Sequence, residues 1–195
     1  MKNRFAMGFA GAAFVVAALS SFAAVAKAPQ KDQIALFATA AKDGRAGVAR
    51  KTRPVDARPA TPGEVIVTVI ESEGVETTSR PAEAGDWVVR NRCPETGNEE
   101  YLVAAAKFPA RYGQAQSEAD AAGYRTFVPK GVEMGYFIVS PSEGDFTFTA
   151  PWGEAMVARP GDAIVQSPAD PADTYRVAAA SFACTYDIVT PPSKP

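Results

Sequence analysis

Short apolar stretches separated by turns dominate the chain after residue 60. Residues 65–70 are six consecutive β-branched residues, a composition typical of a strand. The later apolar runs are of similar or shorter length, and they do not alternate with long helices as in a parallel α/β sheet. The pattern therefore predicts a mainly β protein made of small twisted sheets or partly open barrels.

One amphipathic helix is predicted before these strands. In the segment 30–42, apolar residues recur at helical spacing at Ile34, Phe37, Ala38 and Ala41. The Asp43-Gly44 pair then favours a helix end. Residues 44–63 are charged and contain Pro54, Pro59 and Pro62, which disfavour helix. This second segment is therefore predicted to be a linker or arm.

An internal repeat organises the rest of the chain. The run Gly85-Asp86-Trp87-Val88-Val89 is echoed by Gly161-Asp162-Ala163-Ile164-Val165. Each run is followed by a tyrosine, a phenylalanine seven residues later and a tyrosine four residues after that. These aromatic residues are Tyr101, Phe108 and Tyr112 in the first case and Tyr175, Phe182 and Tyr186 in the second. The repeat predicts two tandem copies of one β unit, at residues 61–113 and 129–190.

The alanine-rich segment between the two copies predicts a helix. It runs from residue 114 to Ala122 and is followed by Gly123, a common residue at helix ends. We assign residues 114–128 to this connection. The repeated phenylalanines and tyrosines are expected to pack in the cores of the two units, and the tail 191–195 is expected to fray.

The two glycine–aspartate pairs are predicted to hold turns. Pro160-Gly161 suits a type II turn, because proline fixes φ and glycine takes the positive φ. In the first copy the turn depends on Gly85 alone. Asp86 and Asp162 can then accept hydrogen bonds from nearby backbone amides. The alternative is that these two carboxylates are ligands or catalytic acids.

Two tryptophans are the candidate binding residues. The second copy has Ala163 where the first has Trp87, so the fold does not require a large side chain there. Trp152 falls at a predicted turn between Pro151 and Gly153. Either tryptophan could be a stacking platform for a sugar or a partner protein, because an indole combines a large apolar face with a polar N–H.

Residues 1–26 have the pattern of an export signal. Lys2 and Arg4 give a basic start, Phe5 to Val25 are apolar or small, and Ala24-Val25-Ala26 resembles a cleavage site. A second cleavage site two residues further on is an alternative, as is an uncut membrane anchor. The pattern predicts a periplasmic or secreted protein.

The cysteine and histidine counts narrow the possible chemistry. Cys93 and Cys184 fall one in each predicted copy, and in an oxidising compartment such a pair is a candidate disulfide. Two reduced thiols are the alternative. Histidine is absent from the chain, which excludes histidine metal sites, Ser-His-Asp triads and Cys-His dyads. We expect no cofactor and no metal.

Charge is distributed unevenly along the chain. Residues 27–60, the predicted basic helix and linker arm, hold eight basic and three acidic residues, a net charge of +5. Residues 61–195 hold ten basic and 19 acidic residues, a net charge of −9. The arm could lie in solvent, on an anionic membrane surface or on the acidic body. An acidic body disfavours nucleic-acid binding.

The chain resembles the PGDYG-type family of small bacterial and phage proteins. The first match runs from Val65 through Glu73-Gly74 and the Gly85-Asp86-Trp87 strand to the Phe108-to-Tyr112 closure. The second runs from the Pro160-Gly161-Asp162 turn to Tyr186 and departs at Ala163-Ile164, where the family has Tyr-Gly. The resemblance covers residues 65–112 and 134–189. It implies two tandem units of one fold and implies no activity and no catalytic residues.

A weaker similarity is to cupin-like β folds, whose strands often follow a Pro-Gly-Asp turn such as residues 160–162. Metal-dependent cupins hold their ion mainly with histidines, which this chain lacks. The similarity therefore implies a β architecture. It does not imply the metal chemistry of that family, because this chain lacks the histidine ligands.

Taken together, these features predict an exported, non-catalytic binding or interaction module whose partner is an envelope protein or glycan. The alternative is an envelope enzyme that acts on glycan, without metal or histidine, through carboxylates. Its candidate carboxylates are Asp86, Glu99, Glu154 and Asp162. Such an enzyme needs two carboxyl groups within about 5 to 10 Å of each other.

Overall fold

The computed structural model describes residues 28–194. In this part of the chain the protein is mainly β, as the sequence predicts, with fourteen strands, three α-helices and two short 3-10 turns. No helix in the described part is both long and apolar enough to cross a membrane. The predicted export signal at residues 1–26 lies outside the described residues.

The elements follow one another along the chain in this order. The α-helices are α1 (Gln33–Lys42), α2 (Phe108–Arg111) and α3 (Ala179–Thr185). The strands of the first half are β1 (Gly47–Lys51), β2 (Val55–Pro59), β3 (Val67–Ile70), β4 (Gly74–Thr78), β5 (Trp87–Asn91), β6 (Glu100–Val103) and β7 (Tyr112–Ala115). Those of the second half are β8 (Arg125–Pro129), β9 (Glu133–Ile138), β10 (Phe146–Thr149), β11 (Ala155–Ala158), β12 (Ala163–Ser167), β13 (Asp170–Val177) and β14 (Tyr186–Thr190).

Two five-stranded antiparallel sheets form the body of the protein. The first sheet has the order β6-β5-β2-β8-β7, and the second has the order β13-β12-β9-β1-β14. Two separate hairpins, β3-β4 and β10-β11, accompany them. Strand β1 belongs to the second sheet and β8 to the first, so each sheet contains a strand from the other half of the chain.

The two sheets share the pairing register of the repeated tyrosines. Tyr101 lies opposite Val89, four residues after Gly85, and Tyr175 lies opposite Val165, four residues after Gly161. Tyr112 and Tyr186 each begin the strand that follows a short helix, α2 or α3. They lie opposite Pro129 and Lys51, the last residues of β8 and β1. That the sheets arose as tandem copies stays a prediction.

The segment predicted as a linker arm is part of both sheets. Residues 44–63 contain β1 and β2, in which Ala49, Val55 and Ala57 are buried while their neighbours are partly or fully exposed. This alternation is the period of a half-buried strand. Because the inward residues are small and the outward ones are charged, the segment is polar on average, which is why a linker was predicted. The prolines lie between strands or at their ends.

The connecting helix predicted within residues 114–128 is wrong. Strand β7 runs to Ala115, β8 begins at Arg125, and the residues between them form turns and loop. Asp120 accepts hydrogen bonds from the amides of Ala122 and Tyr124, each at 2.9 Å. Such side-chain bonds to the backbone compete with helix formation. The alanines of this segment are largely exposed, so they offer no apolar face that would stabilise a helix by packing.

The helix predicted near the start of the chain is confirmed as α1. Asp32 caps it by accepting the amides of Ile34 at 2.9 Å and Ala35 at 3.0 Å. Phe37 contacts the ring of Phe137 edge-on at 6.0 Å between centroids. Through this contact α1 joins the core of the second sheet.

The two cysteines lie at disulfide distance. The Cα atoms of Cys93 and Cys184 are 6.1 Å apart and the sulfur atoms are bonded, within the usual range for a disulfide. Cys93 precedes a 3-10 turn at Pro94–Thr96, and Cys184 is in α3. The predicted pair therefore joins a loop of the first sheet to the helix of the second.

Candidate functional site: a cavity between the two sheets

The first predicted aspartate, Asp86, is committed to its turn. Its carboxylate is buried and accepts the amides of Glu83 at 2.9 Å and Ala105 at 3.0 Å. Burial alone would raise the pKa of this carboxyl, but these hydrogen bonds and the Arg80 guanidinium at 2.8 Å lower it. Gly85 supplies the positive φ of the turn, +89°.

Asp162 has an equivalent set of partners, two backbone amides and one guanidinium. It accepts the amides of Arg159 at 2.8 Å and Ala179 at 3.1 Å, and Gly161 in its turn has a φ of +97°. Its guanidinium partner is Arg176, which donates to both carboxylate oxygens, from Nε at 2.7 Å and from a terminal nitrogen at 3.1 Å. With every oxygen engaged, neither aspartate offers a free acid or ligand.

The two tryptophans have different surroundings. Trp87 is half-buried and stacks on Phe108 at 4.1 Å between centroids, with Phe127 edge-on at 5.5 Å. Trp152 lies on the turn between β10 and β11 and is 39% exposed. Its indole is tilted against the ring of Tyr175 at 5.9 Å. Trp87 thus packs in the core of the first sheet, whereas Trp152 borders the cavity described next.

A cavity of about 660 Å³ lies between the sheets and is called here the inter-sheet cavity. Strands of both sheets and parts of both hairpins contribute to its wall. Its aromatic wall residues are Tyr101, Tyr112, Trp152, Tyr175 and Tyr186. Its charged wall residues are Lys51, Glu76, Arg80, Glu99, Lys107, Arg111, Asp170, Asp173 and Arg176. The repeated tyrosines, predicted as core residues, all reach this cavity.

The tyrosine hydroxyls form part of a polar cluster in the cavity wall. The hydroxyls of Tyr101 and Tyr112 are 3.0 Å apart. Burial raises the pKa of Tyr112 to about 12 and the pKa values of Tyr101 and Tyr186 well above the ordinary value. These hydroxyls therefore keep their protons and can donate hydrogen bonds across the physiological pH range.

Lys51, predicted as one charge of a basic arm, is the residue that sequence reasoning missed most clearly. The last residue of β1, it is half-buried and donates to Asn91 Oδ1 at 2.5 Å and to the Tyr101 hydroxyl at 2.8 Å. It forms no salt bridge within residues 28–194. Burial lowers the pKa of Lys51 to about 7, the charge of Glu99 raises it in part, and the charge of Arg111 lowers it further.

Two buried carboxylates connect the sheets in a reciprocal way. Glu99 lies two residues before Tyr101 and accepts from Ser181 of α3, in the other half of the protein, at 2.7 Å. Asp173 lies two residues before Tyr175 and pairs with Lys107 and Arg111, at the start and end of α2, at 2.8 Å each. Each carboxylate thus reaches the short helix that follows the β5-β6 or β12-β13 hairpin of the opposite sheet.

The other end of the cavity is called here the acidic end, because three carboxylates surround Arg176 there, of which Glu76 lines the cavity and Glu73 and Asp162 lie behind the wall. Arg176 has a side chain that is 1% exposed, and it pairs with Asp162, Glu73 and Glu76. Burial raises the pKa of Glu76 to about 7, although the nearby Arg176 charge lowers it and the Glu99 charge raises it. Close by in β4, the Thr77 hydroxyl is buried without a hydrogen-bond partner among the described residues. An unpaired buried hydroxyl costs on the order of 1 to 3 kcal/mol.

Of the four predicted acids, Glu99 alone lines the cavity. It is held by Asn91 at 2.7 Å, by Ser181 and by the Thr96 hydroxyl. Glu154 lies in the turn before β11 and is half-buried. Within residues 28–194, the group that could be considered for a metal is Cys93, Glu95 and Cys184. Its two sulfurs are bonded to each other, so they are not thiolates that could bind an ion.

A scan against protein-family models, a search of curated proteins and a search of solved structures find no match to this chain. The resemblance to the PGDYG-type family and the weaker one to cupin-like folds therefore stay predictions.

Proposed function

We propose that the protein is an exported binding protein whose ligand is an envelope saccharide held in the inter-sheet cavity. The observation that carries the proposal is the wall of this cavity, where tyrosines and Trp152 alternate with hydroxyl and charged groups. Saccharides present apolar C–H faces and many hydroxyls, so a binding site needs aromatic faces beside hydrogen-bond donors and acceptors. The volume of about 660 Å³ is within the range of small-molecule sites.

The distribution of charge between the sheets supports a ligand role for the cavity. Arg176 lies opposite Ile164 in the second sheet, and Leu102 lies opposite Val88 at the same register position of the first. Lys51 likewise corresponds to Pro129, since each lies opposite the tyrosine that follows a short helix. The fold is built at these positions with or without a charge. Arg176 is engaged by Glu73, Glu76 and Asp162, whereas Lys51 has no ion-pair partner among residues 28–194, so Lys51 is the charge available to a ligand.

The export part of the proposal has two supports. The pattern of residues 1–26 is that of a signal, and the bonded pair Cys93–Cys184 is compatible with an extracytoplasmic location, since disulfides persist in oxidising compartments. Mass spectrometry should find a mature N-terminus at Lys27 or Pro29. Intact Met1 on the protein in the periplasmic fraction would contradict export with cleavage.

Binding can be measured through Trp152 itself. The chain has two tryptophans, so the variant Trp87→Phe leaves Trp152 as the sole indole. The probes are N,N′-diacetylchitobiose and the N-acetylglucosamine–N-acetylmuramic acid disaccharide. We expect a saturable change in Trp152 emission, matched by calorimetry on the wild-type protein. Trp152→Phe is the control and should lose the signal. Absence of both heat and emission change with both probes would overturn the saccharide proposal.

A second candidate function is glycan hydrolysis, favoured by one observation. Glu76 and Glu99 both line the cavity, and the pKa of Glu76 is raised by burial to about 7, as suits a general acid. Against it, Glu99 already accepts three hydrogen bonds. Chromatography of chitooligosaccharides after incubation tests the idea, with Glu76→Gln as the inactive control. Unchanged substrate at high protein concentration would exclude it.

A further inference from the structure

The tyrosine end of the inter-sheet cavity has an excess of positive charge. Three cations lie there, Lys51, Lys107 and Arg111, and the last two share the single carboxylate of Asp173. The other carboxylate near Lys51 is Glu99, whose oxygens accept from Asn91, Ser181 and Thr96 rather than from a cation. Lys51 is therefore left with neutral hydrogen-bond partners.

The neighbours of Lys51 make its charge costly in the absence of an anion. Its side chain donates to an amide oxygen and a phenolic oxygen, which do not neutralise it. The titratable and charged groups that face it from the surrounding elements are Glu99, Tyr101, Arg111, Tyr112 and Tyr186. Only one of these is an anion, whereas Arg111 is a permanent cation. A half-buried lysine in such surroundings gives up its proton more readily than one in water.

We propose that the ligand of the cavity carries a carboxylate, and that this group binds at Lys51 and Arg111 with the hydroxyls of the tyrosine cluster as further donors. The proposal rests on the proposed saccharide function. An acidic group there would balance the surplus charge, and ammonium and guanidinium donors form stronger hydrogen bonds to a carboxylate than neutral donors do.

Proton uptake follows from this arrangement. Since the pKa of Lys51 is about 7 in the free protein, about half of the molecules hold a neutral amine at pH 7. A bound carboxylate favours the ammonium form, so binding at pH 7 should take up about half a proton per ligand. Above pH 7 the affinity should fall as the protonated fraction of Lys51 falls, and the total loss is limited to the factor that the ammonium contributes to binding.

The test compares two disaccharides that differ in one acidic group. N-Acetylglucosamine–N-acetylmuramic acid has a lactyl carboxylate that N,N′-diacetylchitobiose lacks. At pH 6.5 we expect the acidic disaccharide to bind about tenfold more tightly, the equivalent of one modest charge interaction. Calorimetry in two buffers of different ionisation enthalpy gives the proton uptake. Equal affinities, or a preference that persists at pH 9, would overturn the proposal.

Three variants locate the effect. Lys51→Met should abolish the preference for the acidic disaccharide, and Lys51→Arg should keep the preference without the proton uptake, because arginine does not titrate in this range. Lys42→Met removes an exposed charge on α1, outside the cavity, and should change neither. If Lys51→Met still preferred the acidic disaccharide, the ligand carboxylate would bind a group other than Lys51, which would overturn the proposal.

The case in which neither disaccharide binds is also decisive. D-Lactate is then titrated against the protein while the Lys51 pKa is followed by NMR of its side-chain carbon. A raised pKa of Lys51 would keep the carboxylate site and remove the saccharide function. An unchanged pKa would overturn both. In the other case, in which chitobiose binds, the same titration with no lactate effect on the Lys51 pKa would keep the saccharide function and remove the carboxylate site.

Discussion

The two five-stranded sheets match in strand order and tyrosine register but differ in the charges they present to the space between them. Leu102 of the first sheet corresponds to Arg176 of the second, and Pro129 to Lys51. Arg111, just before Tyr112, corresponds to Thr185, just before Tyr186. The shared residues build turns and tyrosine positions, whereas the differing ones give the inter-sheet cavity a basic end and an acidic end.

The reciprocal carboxylates show the same contrast. Glu99 and Asp173 occupy matching positions, yet the first accepts from Ser181 and the second from Lys107 and Arg111. Two carboxylates at matching positions therefore have different partners in the opposite sheet's helix segment, a neutral hydroxyl for Glu99 and two cations for Asp173. Glu99 therefore acts on Lys51 through its charge alone, while the hydrogen bonds of Lys51 go to Asn91 and Tyr101.

The disulfide between the two halves should have the largest effect on stability. Replacing Cys93 and Cys184 by serine opens a loop with a sequence separation of 91 residues, for which the chain-entropy account gives about 4 to 5 kcal/mol. We expect the melting temperature to fall by on the order of 10 °C, measured by calorimetry. The wild-type protein under reducing agent is the matched control, and an unchanged melting temperature in both would contradict the role of the bond.

Replacing Arg176 by leucine, the residue type of Leu102 at the matching position of the first sheet, should have the next largest effect on stability. Arg176→Leu leaves Glu73, Glu76 and Asp162 without their buried partner. Removing one member of a buried ion pair costs about 3 to 5 kcal/mol, measured by urea denaturation. The control is Arg125→Leu, at an exposed position of β8. Equal effects of the two variants would show that the acidic end needs no compensation.

The basic and acidic ends should respond to pH in opposite directions. The pKa of Glu76 is raised from 4.5 to about 7, so its contribution to stability is complete below pH 4.5 and is lost as pH rises through 7. The pKa of Lys51 is lowered from 10.5 to about 7. The unfolded chain then binds more protons between pH 7 and 10.5, so the stability rises with pH in that window.

Urea denaturation from pH 4 to pH 10 separates the two contributions. Above pH 7 the wild-type protein should gain up to about 1.4 kcal/mol of unfolding free energy per pH unit relative to Lys51→Met. Relative to Glu76→Gln, the wild-type protein should lose unfolding free energy as the pH rises from 4.5 to 7. Lys42→Met is the control and should follow the wild-type curve. Curves for Lys51→Met and wild type that stay parallel above pH 7 would refute the perturbed lysine.

The smallest predicted effect concerns one hydroxyl of the tyrosine cluster. Tyr101→Phe removes the acceptor of Lys51 and the partner of Tyr112, which should cost about 1 kcal/mol. Tyr136→Phe is the control, because Tyr136 packs on Phe182 and does not line the cavity. A loss that is no larger for Tyr101 than for Tyr136 would argue against a connected polar cluster.

Local sequence patterns were sufficient for part of this picture. The β-branched runs, the apolar stripe of α1 with its Asp43-Gly44 end, and the even pair of cysteines each depend on neighbours in sequence or on simple counting. The mainly β class, α1 and a cysteine pair at disulfide distance are confirmed. The spacing of the tyrosines likewise pointed to matched positions.

What the sequence did not disclose depends on long-range pairing. Lys51 looked like one charge of a basic arm because nothing nearby in sequence shows that β1 pairs with β14 and β9. The tyrosines were assigned to cores because an aromatic residue on a strand looks the same whether it faces a core or a cavity. No helix forms between β7 and β8, because the alanines of that segment are exposed and offer no apolar face for packing.

A crystal structure of the protein with the N-acetylglucosamine–N-acetylmuramic acid disaccharide tests the central claim most directly. We expect the disaccharide in the inter-sheet cavity, with a sugar ring against Trp152 or Tyr175 and the lactyl carboxylate on Lys51 and Arg111. A disaccharide bound elsewhere on the protein, or one whose carboxylate points away from Lys51, would contradict it.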